Sequence, residues 1–136
     1  MWADALYAQD KTWWDLYIDE VNKTFLGEKF TNNPFKKATQ VDISGFNNSG
    51  IGSIQLAILG GARRVILLGY DCKITDGKRH WHGDHPKQLT NAVGMNKWVD
   101  KYREFAKTVD IEILNASRET ALECFPIVDL ETALNA

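Results

Sequence analysis

The stretch NSGIGSIQLAILGGARRVILLGY, Asn48 to Tyr70, holds a helix, a turn and a strand in succession. Asn48 and Ser49 carry side-chain oxygens that can cap a helix start. Ile51, Ile54, Leu56, Ala57, Ile58 and Leu59 leave that helix little polar face, so it is expected to be largely buried. Gly60 and Gly61 end it. Arg64-Val65-Ile66-Leu67-Leu68-Gly69 then reads as an apolar run between turn signals, the pattern of a central parallel strand.

Elements of the same kinds lie on either side. Ala3 to Ala8 reads as a short strand, and Asp10 as the N-cap of a helix reaching about Phe25. Trp13, Tyr17, Val21 and Phe25 recur every four residues and predict its apolar stripe. Lys29 to Thr31 is a brief strand, Asn32-Asn33-Pro34 a turn, and Gln40 to Ser44 alternates as a strand does. Asn91 to Thr108 has helical spacing through Ala92, Met95, Val99, Tyr102, Phe105 and Ala106. Ile111 to Asn115 is a last strand, and Leu130 to Leu134 a closing helix. Alternating strands and helices imply an α/β fold: a mainly parallel sheet with helices on both faces. Ligands of such sheets bind beyond the carboxyl ends of the strands. That rule selects the loops after Tyr7, Ser44 and Tyr70.

Composition sets the outer limits. A chain of 136 residues suits one domain, here 1–136. Its formal charge of −2 argues against a nucleic-acid polymer or an anionic membrane as partner. No apolar run approaches the roughly 20 residues of a membrane span, and no signal peptide is visible. Cys72 and Cys124 lack metal-type spacing and read as reduced thiols, which predicts a cytoplasmic protein. Five tryptophans suggest that some line a pocket or a subunit interface.

All three histidines fall in HWHGDH, His80 to His85, within a long polar loop. The string spells the metal signature of metallo-β-lactamases, but that dinuclear site needs further histidines that this chain lacks. A mononuclear site from His80, His82, Asp84 and His85 is chemically feasible, and so is a plain surface loop. The favoured reading is a loop folding over an anion or a base, with Lys73, Lys78, Arg79 and Lys87 flanking it. Across the chain, Asn48, Ser49 and Ser53 offer hydrogen bonds at a helix start. Gly50 and Gly52 there bring no side chain that would hold off a phosphate.

The stretch from Asn48 to Asn91, NSGIGSIQLAILGGARRVILLGYDCK…HWHGDHP…N, resembles a group of prophage and bacteriophage proteins with a Rossmann-like fold. More distantly it is similar to bacterial sialyltransferases that use a cytidine-nucleotide sugar, and to motility-accessory and pterin-diphosphokinase proteins. The opening MWADALYAQDKTWWDLY and the closing FPIVDLETAL also look like the phage group. The resemblance implies that Asn48, Ser49 and Gly50 contact a nucleotide and that Tyr70 lies near the reacting centre. The transferases' catalytic histidine has no assigned counterpart among His80, His82 and His85. Relatives place a strand and a Gly-rich loop before the segment matching Trp2-Ala3-Asp4. This chain starts there, so the domain is expected to be N-terminally reduced and to favour binding over transfer.

The resulting expectation is a phage-type, small-molecule-binding protein that holds a nucleotide-like ligand without turnover, and so sequesters a nucleotide immune signal. The predicted site comprises Asn48, Ser49, Gly50, Gly52, Ser53, Tyr70, Asp71, Arg79, His80, Trp81, His82, His85 and Asn91. Trp81, Trp13 or Trp14 would stack on a base. No metal or cofactor is expected, and a homo-oligomer is, because a reduced sheet exposes an edge. The alternatives are a sialyltransferase-like transferase, with a histidine as base and Tyr70 assisting, and a structural phage protein.

Overall fold

The computed structural model describes residues 3–74, 77, 85–89 and 94–135. The chain divides into two compact units, Met1–Gly60 and Gly61–Ala136. It is mixed α/β with short parallel strands, which form a three-stranded sheet in the first unit and a two-stranded sheet in the second.

In the first unit, β1 (Ala5–Tyr7) leads to α1 (Lys11–Thr24) and then to β2 (Glu28–Thr31), β3 (Thr39–Gln40), a short turn of helix at Gly45–Asn47, and α2 (Ser49–Leu59). The sheet order is β1-β2-β3. Tyr7 lies opposite Phe30, and Thr31 opposite Gln40, all in parallel register. A parallel pair needs a crossover, and α1 supplies it between β1 and β2. Asp10 caps α1 as expected, its carboxylate accepting from the Thr12 N–H at 2.8 Å. The predicted stripe was one residue out of phase at its start. Trp14, Ile18, Val21 and Phe25 are buried, whereas Trp13 and Tyr17 only pack against that cluster.

Trp14 is fully enclosed, stacked on Phe35 at 5.8 Å, with its indole N–H donating to the Ala8 carbonyl at 2.9 Å. Enclosing a ring of that area is worth on the order of 4–6 kcal/mol. It also removes Trp14 from any role in stacking on a ligand. Gly27 admits the chain into β2: a β-carbon there would lie 2.3 Å from the Asp4 carbonyl oxygen. That oxygen accepts the Glu28 N–H that opens the β1–β2 ladder.

The predicted strand from Gln40 to Ser44 is shorter than its alternation suggests. Only Thr39–Gln40 pairs with β2, followed by one bond from the Val41 N–H to the Thr31 carbonyl. The expected burial of α2 is also partial: Ile51, Gly52 and Ile54 are buried, while Leu59 is exposed.

In the second unit, β4 (Arg64–Leu67) pairs in parallel with β5 (Glu112–Asn115), and α3 (Met95–Ala106) and α4 (Leu130–Asn135) complete the described elements. Arg64 and Glu112 stand opposite each other and form an ion pair. Ile127 bridges to Asn115 beyond β5. Leu67, Leu89, Tyr102, Phe105, Ile113, Leu114, Leu122, Phe125 and Ala133 are buried here. Tyr102 and Phe105 come from the predicted face of α3. Met95 and Val99, expected beside them, are only partly covered. Among the described residues no helix is long and apolar enough to cross a membrane.

Candidate functional site

Amide side chains stand just past the carboxyl ends of β1 and β2 and again before α2. Gln9 follows β1, Asn32 and Asn33 follow β2, and Asn47 and Asn48 precede α2. Gln9 is the hub. Its backbone N–H donates to Ser49 Oγ at 3.2 Å, its side-chain Nε2 to Asn47 Oδ1 at 3.3 Å, and its carbonyl accepts from Asn33 Nδ2 at 2.6 Å. Gln55 reaches back from α2: its Oε1 accepts from the Gly45 N–H at 2.8 Å, and its Nε2 donates to Ser44 Oγ at 3.2 Å. The side chains named in this network, Gln9, Asn33, Ser44, Asn47, Ser49 and Gln55, are all neutral.

Among the described residues two buried atoms in it have no hydrogen-bond partner, Tyr7 Oη and Gln9 Oε1. Burial also raises the Tyr7 phenol above its ordinary pKa. Glycines allow this crowding. A β-carbon on Gly45 would lie 2.3 Å from Gln9 Oε1 and 3.2 Å from Tyr7 Oη, and one on Gly52 would lie 2.3 Å from the Tyr7 ring. Gly45, Phe46 and Asn47 all have left-handed backbones, with φ of 59°, 50° and 51°. Only glycine and, to a lesser degree, asparagine adopt that region without penalty, so Phe46 is strained.

The residues predicted at the start of α2 have specific local duties. Asn48 Oδ1 accepts the Ile51 N–H at 3.1 Å as the N-cap. Ser49 Oγ holds the Gln9 N–H, and Ser53 Oγ donates back to the Ser49 carbonyl at 2.9 Å. The Gly52 N–H bonds to the Asn48 carbonyl, and the space beside its α-carbon is filled by Tyr7. Gly52 therefore serves the packing of Tyr7 on the helix. Gly50 lies in the first turn, partly buried.

In the second unit, the carboxyl ends of β4 and β5 meet in a different kind of network. The Tyr70 N–H donates to Ser117 Oγ at 2.8 Å, and Thr120 Oγ1 donates to the Tyr70 carbonyl at 2.7 Å. The Asp71 carbonyl accepts the Ala121 N–H, and Lys73 pairs with Glu119 at 2.9 Å. Asn115, fully buried, ties these together. Its Nδ2 donates to Thr120 Oγ1 at 3.1 Å and to the Leu122 carbonyl, and its Oδ1 accepts the Ser117 N–H at 3.1 Å.

The Tyr70 ring meets Tyr102 edge-on at 6.0 Å. Its phenol is pushed up to about 12, by burial first and then by the Cys72 thiol. A phenol held that high stays protonated at neutral pH. Cys72 and Cys124 are free thiols. Burial, then Asp71 and Cys124, push the Cys72 thiol up to about 11.

Of the predicted loop residues, Arg79, His80, Trp81, His82 and Asn91 lie outside the described residues. His85 is described and partly exposed, near the turn in which the Leu89 N–H bonds to the Pro86 carbonyl. Among the described residues no three His, Cys, Asp or Glu side chains converge as metal ligands. The sequence reading missed Tyr7, Gln9, Asn33, Gly45 and Gln55. For Gln9 and Asn33 the usable signal was an amide two residues past the end of a short strand, β1 and β2 respectively. No family model, curated protein or solved structure matches the chain.

Proposed function

We propose that the first unit is Rossmann-like and binds a nucleoside- or nucleotide-like small molecule, without turnover, at the carboxyl ends of β1 to β3. The observation that carries this reading is the pair of buried, unpartnered atoms, Tyr7 Oη and Gln9 Oε1, at the strand ends where α/β proteins take their ligands. An unpartnered buried polar atom costs about 1–3 kcal/mol, and folded proteins keep few of them. A donor for Gln9 Oε1 and an acceptor or donor for Tyr7 Oη are what a base edge or a ribose offers. The neutral amides around them suit that part of a nucleotide better than its phosphate. The likeness to phage proteins extends the proposal to sequestration of a nucleotide signal in the cytoplasm, by a homo-oligomer.

The test is a thermal shift with nucleosides, nucleotides and inorganic phosphate, followed by mass spectrometry of the recovered ligand. A ligand at about 100 times its Kd stabilises by about 2.7 kcal/mol, a shift of several degrees. Gln9→Ala is expected to weaken that ligand at least tenfold, and the ligand is expected back intact. No shift with any nucleoside or nucleotide would contradict the proposal, and a chemically altered ligand would favour the transferase.

A further inference from the structure

We propose that Cys72 and Cys124 are a redox lock: a small-molecule disulfide such as oxidised glutathione converts the two thiols into one disulfide within the chain. Both lie in the second unit, so the lock is independent of the ligand site proposed above. Both are free and partly exposed, so a reagent can reach them in the folded state. The segments that carry them are stitched together. Past β4, the Tyr70 N–H and carbonyl and the Asp71 carbonyl are bonded to Ser117, Thr120 and Ala121. Cys72 is the next residue of one segment, and Cys124 follows Ala121 by three in the other. The Tyr102 ring meets Tyr70 edge-on at 6.0 Å and Phe125 edge-on at 6.4 Å, so one side chain of α3 touches both segments beside the cysteines. The backbone at Cys72 is left-handed, with φ 49°. L-residues avoid that region, and where the surroundings impose it the strain collects at functional sites.

The charges of the neighbourhood set the order of events. Burial, then Asp71 and Cys124, all push the Cys72 thiol up, whereas at Cys124 burial is opposed by a backbone hydrogen bond and by Arg103. The Cys124 thiolate therefore attacks first, breaking the S–S bond of the reagent, and one glutathione leaves with a proton. The Cys72 thiolate then attacks Cys124 Sγ in the mixed disulfide. The protein S–S bond forms and the second glutathione leaves with the second proton. Two protein thiols are oxidised and one small disulfide is reduced to two thiols. Stabilised thiolates are what make a disulfide easy to reduce. Both thiols are raised on balance, so the bond persists once made.

Equilibration with glutathione buffers, in native conditions and in concentrated urea, tests the lock by intact mass and peptide mapping. The native chain is expected to lose the mass of two hydrogen atoms through a Cys72–Cys124 bond. Its equilibrium constant for that bond should be at least about tenfold above the value in urea, because the fold holds the two segments together. By the same cycle the bond stabilises the fold, and the oxidised chain should melt several degrees higher. Cys72→Ser should stop at a glutathione adduct on Cys124, and Cys124→Ser should gain its adduct on Cys72 about tenfold more slowly. A native constant equal to or below that in urea overturns the lock, since the fold would then keep the sulfurs apart. So does a native chain that stays reduced, carries only glutathione adducts, or links to a second copy.

Discussion

Each unit gathers polar groups where its parallel strands end, and the two gatherings are built differently. At the ends of β4 and β5, Asn115 and Thr120 spend their side-chain groups on neighbouring loops, and the backbone there is tied at Tyr70, Asp71 and Ser117. At the ends of β1 to β3, the amides of Gln9 and Gln55 are engaged, yet Tyr7 Oη and Gln9 Oε1 are sealed in without partners beneath a left-handed turn. A satisfied buried network rigidifies, while an unsatisfied one costs stability and needs another reason to exist. The contrast makes the second unit's network a structural clamp and leaves the first unit's network with two unsatisfied atoms, the observation on which the proposed ligand site rests.

The largest expected effect lies in the clamp. Asn115→Ala leaves the buried Ser117 N–H without its acceptor and frees Thr120, and should cost about 3 kcal/mol in urea unfolding. A loss under about 1 kcal/mol would remove the distinction between the two networks. Next is the thiol beside it. A pKa of about 11, against an ordinary 9.0, leaves about 100-fold less thiolate, so at pH 8 iodoacetamide should alkylate Cys72 about 100-fold more slowly than a peptide thiol. Because the folded state holds that proton more tightly, this contribution to stability is whole below pH 9 and is lost as the pH rises through 11. Alkylation at the peptide rate would mean that the clamp does not bury the thiol.

Much of the scaffold was legible because it rests on local chemistry. Asp10 caps α1, Asn48 caps α2, and the apolar run after Arg63 is a strand, each for reasons contained in a few adjacent residues. The phase of α1 was not. Trp13 and Trp14 are equally apolar, and Val21 and Phe25 belong to either stripe, so only tertiary packing selects Trp14 and Ile18. Alternation at Val41 and Ile43 looked like a strand, but pairing needs a neighbouring strand as well as a pattern, and pairing with β2 ends at Gln40.

The left-handed turn at Gly45–Asn47 was illegible for the opposite reason. Ser44-Gly45-Phe46-Asn47 carries one glycine and a bulky residue that disfavours a left-handed turn, so local preference points away from what the surroundings impose. Conflict between local preference and global fold is expected at functional sites. The predicted helix-start residues stand out by their chemistry in the sequence, and among the bonds they make are ones to Gln9, Ile51 and the helix itself. The unpartnered atoms belong to Tyr7 and Gln9; an amide just past a strand end marks Gln9, but nothing in a lone sequence shows that these atoms go without partners.

The smallest expected effect is also the most direct measure of the central claim that the first unit seals in a hydroxyl with nothing to bond. Tyr7→Phe deletes only that oxygen. Equilibrium urea unfolding should show the variant unchanged or more stable, by up to about 1 kcal/mol, since removing an unpartnered buried group relieves its desolvation cost. A loss of about 1 kcal/mol or more would show that Tyr7 Oη is hydrogen-bonded within the folded chain, and would contradict the account.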